Sequence, residues 1–218
     1  MGPSLGFDAV SHHLADLLDG AMLVLSFALL FQRRLTAVIN IVAMQAWVLA
    51  TATGWQGWLQ RSPELDVTGL IVLGAAGVAI PIALHRMVRR LQIHQAVETA
   101  LGIFPSMAVG VALVALAVLV VLPTATDGHL LTREDLALAL SVVLLGQLMM
   151  ITRRTALAQV AGFLSIGNGL LLAAVSVRGM PLVMASSIVV LMLGGALVSG
   201  VFFCRIRERF DRPDEAPR

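Results

Sequence analysis

The sequence has little charge, one cysteine, no lysine and no tyrosine. Only 13% of its 218 residues are charged, about half the share of a typical soluble domain. The single cysteine, Cys204, excludes an internal disulfide framework and a cysteine-based metal site. The adjacent His12 and His13 have no third metal ligand nearby. The chain also has no Walker loop, nucleophile elbow or dinucleotide-binding fingerprint. We therefore expect it not to be an enzyme by itself and to hold no cofactor or metal.

Long hydrophobic runs are what the sequence does have. Hydrophobic residues make up 58% of the chain, and they form runs long enough to cross about 30 Å of hydrocarbon as helices. The predicted spans are 14–32, 35–57, 67–87, 105–123, 133–152, 155–177 and 180–204. Prolines, glycines and arginine pairs mark their ends. The sequence thus predicts an all-α, polytopic membrane helix bundle with about seven transmembrane helices.

The arginines predict how this bundle is oriented. With seven crossings, twelve of the 15 basic residues fall on one side, and only Arg61, Arg133 and Arg178 fall on the other. The positive-inside rule then places the N-terminus outside and the C-terminus in the cytoplasm of a bacterial inner membrane. Topology accounts for the basic net charge, so we expect no nucleic-acid partner.

The region before the first apolar run is acidic. It carries Asp16 and Asp19 and has no basic segment, so it does not resemble a cleaved signal peptide. We interpret these carboxylates as first-turn acids that the dipole of the first helix stabilises. The alternative is that they feed protons inward.

Residues 85–104 can form an amphipathic helix, with apolar side chains on one face and arginines on the other. This segment predicts a cytoplasmic extension that lies in the interface plane or against a partner subunit. His85 and Glu98 are the candidates for proton entry in this region. A solvated or subunit-facing role is the favoured interpretation of both.

Two arginine pairs indicate an internal repeat. Arg33-Arg34 and Arg153-Arg154 are 120 residues apart, and each lies between the first two helices of a three-helix unit. One further helix between the units gives both the same orientation, which is a 3+1+3 plan with parallel repeats. The predicted units are 1–104, 105–131 and 132–218. Chance similarity between apolar sequences is the alternative.

The predicted spans contain neutral polar residues that we expect to be buried. They are Asn40, Gln45, Gln147, Gln159, Ser165, Asn168 and Ser187, with Ser186 and Ser199 beside them in the last helix. Hydrogen bonds between helices are the favoured interpretation, at about 0.6 kcal/mol each. The alternative is that they line a water-filled proton path.

Residues 153–174, RRTALAQVAGFLSIGNGLLLAA, carry a resemblance to a known family. A basic pair is followed by a short apolar stretch, by Gly162 and by Asn168, as in the small three-helix subunit K of complex I and its smaller relative in Mrp antiporters. With four preceding helices and the ending GVFFCRIRERF, the whole chain more closely resembles hydrogenase-4 component E, most clearly over 150–210. The resemblance implies a membrane subunit beside antiporter-like subunits and a hydrogenase-like or formate-oxidising cytoplasmic arm.

The chain departs from that family at its acidic positions. Gly167 stands where the family has a glutamate before the asparagine, and Leu164 is near the position where subunit K carries its own. In the last helix, Ser186 and Ser187 stand where an acid is expected. A neutral side chain cannot hold a transported charge as a carboxylate can. The resemblance therefore favours a non-catalytic, structural role over proton transfer.

Two other interpretations stay open at this point. A small stand-alone secondary transporter would suit the parallel repeat, and Pro81 is a candidate break in its third helix. A membrane anchor or assembly factor would use the cytoplasmic arginines to bind a soluble partner.

Overall fold

The structure is a computed structural model that describes residues 4–90, 102–124, 133–176 and 182–210. Within these ranges the chain is helical, and they contain no β-strand. The helices are α1 (Ser4–Phe31), α2 (Leu35–Gln60), α3 (Pro63–Val72), α4 (Ile80–Arg90), α5 (Ile103–Thr124), α6 (Arg133–Thr152), α7 (Ala156–Ser176) and α8 (Leu182–Phe210). A π-helical segment, Leu73–Ala79, joins α3 and α4 into one continuous helix. The predicted all-α class is confirmed.

Five helical spans are long and apolar enough to cross a membrane. They are Leu35–Leu59, Pro63–Arg89, Ile103–Val121, Asp135–Thr152 and Ala156–Val175. α1 and α8 contribute shorter apolar stretches, Leu17–Phe31 and Ser186–Val201, within the described part of the chain. In hydrocarbon a backbone must satisfy its own hydrogen bonds, which is why such apolar runs become helices. The fold is therefore compatible with a protein embedded in a membrane.

The helices pack in two facing rows. One row contains α1, α2 and the continuous α3–α4 helix, and the other contains α6, α7 and α8. Across the rows, α1 contacts α6, α2 contacts α7, and α3 contacts α8. α5 packs against α1 and α6 at one end of the rows. The core lies between the rows, with α1, α2, α6 and α7 forming a four-helix bundle around it.

Glycine contacts hold α6 and α7 unusually close together. A Cβ atom built on Gly162 would lie 2.9 Å from the carbonyl oxygen of Gly146, and one on Gly146 would lie 3.0 Å from that of Gly162. Gly169 similarly faces the backbone of Ala139. Small residues of this kind let the backbones of membrane helices approach closely, and packing then replaces the hydrophobic effect as the source of association.

The third helix is not broken at Pro81 but widened just before it. Pro81 has no N–H to donate to the carbonyl of Gly77 four residues earlier, and this carbonyl instead accepts a hydrogen bond from Trp47 Nε1 of α2 at 3.2 Å. π-helical turns commonly accommodate such interruptions. The bundle thus keeps a continuous third helix at the point where a discontinuous one was a candidate.

The first helix begins earlier than predicted. It starts at Ser4 rather than at residue 14, so Asp19 lies fifteen residues inside α1. The interpretation of Asp19 as a first-turn acid is therefore wrong. In addition, its side chain is only 6% exposed.

The amphipathic segment is covered only in part. α4 continues to Arg90, and Glu98 lies outside the described residues. His85 is half-buried in α4, and its Nδ1 lies 2.9 Å from the carbonyl oxygen of Pro81 in the same helix. The structure therefore places His85 on its own helix and leaves the candidate proton entry a prediction.

Candidate functional site

The bundle core contains three of the predicted polar side chains. Gln45 of α2 and Ser165 and Asn168 of α7 have no exposed surface. The other four, Asn40, Gln147, Gln159 and Ser187, are exposed on the outside of the bundle. The prediction that all seven are buried is therefore wrong for these four. The reason is helical phase: five residues turn the helix by about 140°, so Asn40 and Gln45 cannot share a face.

A buried hydrogen bond joins the first two helices. Gln45 Nε2 donates to Ser26 Oγ at 2.9 Å, and Ser26 Oγ donates to the carbonyl oxygen of Met22 at 2.8 Å. Ser26 is 2% exposed. Gln45 Oε1 is buried and has no partner among the described residues. Sequence reasoning found Gln45 but missed Ser26, because a lone serine in an apolar run carries no sign of what it faces.

Ser165 and Asn168 lie on the face of α7 that points toward α2. Gly162 and Gly169 mark the face against α6, and Gly167 marks the face against α8. The remaining neighbour of α7 is α2, and Asn168 lies on the buried face directed toward it. Ser165 Oγ and both side-chain atoms of Asn168 have no partner among the described residues. We call Ser26, Gln45, Ser165 and Asn168 the polar core.

Gly167 explains why an acid is absent at that position. A Cβ atom there would lie 2.5 Å from Met192 Cγ of α8. A glutamate would therefore have to displace the buried Met192, and it would point toward α8 rather than into the polar core. The departure from the resembled family matches the packing around this glycine.

Asp19 lines a small cavity at the end of the bundle away from the arginine pairs. Its other walls are Leu18, Ala52, Trp55, Gln56, Leu172 and Val175, from α1, α2 and α7. The enclosed space is about the size of one water molecule. Sequence reasoning noted Asp19 but placed it at the helix mouth. Its spacing of seven residues from Ser26 was the available signal that both share one face of α1.

Arg153 fastens the end of α1 to the turn between α6 and α7. Its guanidinium Nη2 donates to the carbonyl oxygens of Leu30 at 2.5 Å and Leu29 at 3.3 Å. These carbonyls belong to the last turn of α1, where intrahelical partners run out and positive charge is favoured. The side chain is 2% exposed. We call this arrangement the arginine clamp.

The burial of Arg153 has an electrostatic cost. Burial lowers the pKa of the guanidinium, and the nearby charge of Arg33 lowers it further. The group stays protonated at neutral pH, since arginine ordinarily titrates far above that range. Arg154 beside it is exposed. The basic pair predicted at this turn thus divides into one structural and one solvent-facing arginine.

The described residues contain no group of three or more His, Cys, Asp or Glu side chains that could hold a metal ion. The candidate site is therefore the polar core, with the Asp19 cavity and the arginine clamp at its two ends. Its groups can orient hydrogen bonds, but no carboxylate lies at its middle.

We expect the bond between Ser26 and Gln45 to appear as a coupling energy. In a double-mutant cycle of Ser26→Ala and Gln45→Leu, the coupling should be about 0.6 kcal/mol, which is typical of buried polar pairs in membranes. Reversible unfolding in mixed detergent and SDS micelles, followed by circular dichroism, measures it. Ser106→Ala is the matched control, because Ser106 Oγ donates within α5 to Gly102. A Ser26 cycle as additive as the Ser106 cycle would contradict the bond.

Comparison with known proteins gives one similar chain. The sequence is 27% identical over 203 residues to "Uncharacterized protein Rv0085" of Mycobacterium tuberculosis, and the alignment covers 92% of each chain. It therefore includes both rows of the bundle. No family model matches the sequence. No solved structure matches it.

Proposed function

We propose that this protein is a non-catalytic integral membrane subunit of a hydrogenase-4-like or complex-I-like oxidoreductase complex. In such a complex it packs beside antiporter-like subunits, and other chains carry the redox chemistry. The family part of this proposal rests on the sequence resemblance. The observation that carries the subunit part is a pair of amides on the outside of the bundle.

These amides are Asn40 of α2 and Gln147 of α6. Both are exposed within membrane-spanning helices. The face of α2 that carries Asn40 points away from the second row, and the face of α6 that carries Gln147 points away from the first. Facing lipid, an amide would have no hydrogen-bond partner, which is costly in hydrocarbon. Helices of partner subunits on both sides of the bundle would satisfy them.

The neutral interior supports a structural role. Gln45, Ser165 and Asn168 orient hydrogen bonds but do not carry charge, and Gly167 has no room for an acid. A proton carrier of the complex-I type needs an ionisable group inside the membrane. The subunit therefore spaces and seals the membrane arm, and proton transfer is the weaker form of the proposal.

Seven crossings, a cytoplasmic C-terminus and the parallel 3+1+3 repeat belong to this proposal. The facing pairs support the repeat, because α1 contacts α6, α2 contacts α7 and α3 contacts α8. The arginine distribution supports the orientation.

Gentle solubilisation of the C-terminally tagged chain from its native membrane tests the proposal. Antiporter-like and hydrogenase-like subunits should copurify in fixed proportion and be identified by mass spectrometry. Recovery of the protein alone, or only with copies of itself, would contradict the proposal and favour a stand-alone transporter. Partners that bind only during assembly would favour an assembly factor.

Variants of the outward amides make this test sharper. Asn40→Leu and Gln147→Leu should reduce the yield of copurified subunits while the level of the chain itself stays the same, since leucine suits lipid. The matched controls are Met44→Leu and Ile151→Leu, which change exposed apolar positions on the same faces. Equal recovery of partners from the amide variants and their controls would show that the amides do not contact partners.

A further inference from the structure

The polar core contains more unpaired hydrogen-bonding groups than a buried site normally has. Gln45 Oε1, Ser165 Oγ, Asn168 Oδ1 and Asn168 Nδ2 are all buried and have no partner among the described residues. The three side chains are fully enclosed. Buried polar groups without a hydrogen bond are costly and rare. A ligand that satisfies them is therefore indicated.

The three side chains lie at a similar depth in the bundle. α2 and α7 both begin at the end where the arginine pairs lie, directly after Arg34 and shortly after Arg154. At 1.5 Å per residue, Gln45 is about 15 Å along α2, whereas Ser165 and Asn168 are about 14 and 18 Å along α7. Because α2 and α7 pack against each other, the unpaired atoms belong to one buried layer.

The chemistry of these atoms selects the ligand. Gln45 Oε1 and Asn168 Oδ1 accept hydrogen bonds, Asn168 Nδ2 donates them, and Ser165 Oγ does both. A metal cation would satisfy only the acceptors, and an anion only the donors. Water satisfies both, and buried water typically makes about three hydrogen bonds to such groups.

We propose that the polar core is a binding site for internal water, held by Gln45, Ser165 and Asn168. The water continues along the inner face of α1 toward the Asp19 cavity. Met22 and Ser26 follow Asp19 by three and seven residues, so all three share that face. All three are buried. The site is uncharged where the water is bound and has a carboxylate only at the cavity end.

Radiolytic footprinting of the full chain in lipid nanodiscs tests this site. Hydroxyl radicals formed from bound water oxidise adjacent side chains even where bulk solvent has no access, and mass spectrometry locates the products. Met22 should be oxidised several-fold faster than Met192. The two are equally buried, but Met192 packs at Gly167, on the other side of α7. Equal rates for these two methionines in the wild-type protein would overturn the proposal.

A variant links the water to the amide. Asn168→Leu should lower the oxidation rate of Met22 to that of Met192. Ser141→Ala should leave it unchanged, because buried Ser141 donates its hydrogen bond within α6 to Ala137. Fast oxidation of Met22 in folded Asn168→Leu would also overturn the proposal. The wild-type comparison decides alone if that variant does not fold, and neither outcome depends on which complex the protein joins.

Discussion

Replacement of Arg153 by alanine should strongly destabilise the bundle. The substitution removes the arginine clamp and leaves the carbonyl oxygens of Leu29 and Leu30 without their buried donor. Hydrogen bonds from a charged donor contribute about 1.5–3 kcal/mol, so we expect the free energy of unfolding to fall by about 2–3 kcal/mol. Reversible unfolding in SDS-containing micelles, followed by circular dichroism, measures this change.

Arg154→Ala is the control for the clamp. It removes the same charge from the neighbouring position, where the side chain is exposed. Its expected effect is within about 0.5 kcal/mol, as for most surface substitutions. If the two variants lose the same stability, the arginines act only through net charge at the membrane surface, and the clamp contributes nothing.

Replacement of Gly162 by alanine should separate α6 from α7. The added methyl group would lie 2.7 Å from Met150 Cγ and 2.9 Å from the carbonyl oxygen of Gly146. The methionine can move aside, but the backbone of α6 can yield only if the helices part. Overpacking of this kind costs about 1–3 kcal/mol, and loss of close backbone contact adds to it. The same unfolding measurement applies.

Gly194→Ala is the matched substitution. Gly194 lies in α8, and no atom lies within 4 Å of a Cβ built there. Because alanine favours helix over glycine by about 0.5–1 kcal/mol, this variant should be neutral or more stable. A Gly162→Ala protein as stable as Gly194→Ala would mean that α6 and α7 are held together by something other than their glycines.

The helices were predictable because membrane solvent imposes them. Apolar runs of the right length must become helices, and the predicted ends at Arg33-Arg34 and Arg153-Arg154 agree with the observed turns. The outward direction of each polar residue was not predictable in the same way. Apolar residues surround α2 on every face, so hydropathy alone does not distinguish the buried Gln45 from the exposed Asn40.

The arginine clamp shows the same limit more sharply. Arg153 and Arg154 are neighbours of one type, and both suit a turn at the membrane surface. Which one is buried depends on how the α6–α7 turn lies against α1, a contact between residues 123 or 124 positions apart. Asp19 was misplaced for a different reason, since the polar N-terminal region continues α1 beyond its apolar part. Local sequence does not encode either contact.

The clamp also has a consequence for the order in which the protein is built. Leu29 and Leu30 enter the membrane early in synthesis, whereas Arg153 is made more than a hundred residues later. Until then the end of α1 must be served by water or lipid headgroups at the bilayer surface. Membrane proteins insert their helices first and dock them afterwards. The nascent chain therefore cannot lock its first half before its second half has left the ribosome, and quality control must tolerate that open intermediate.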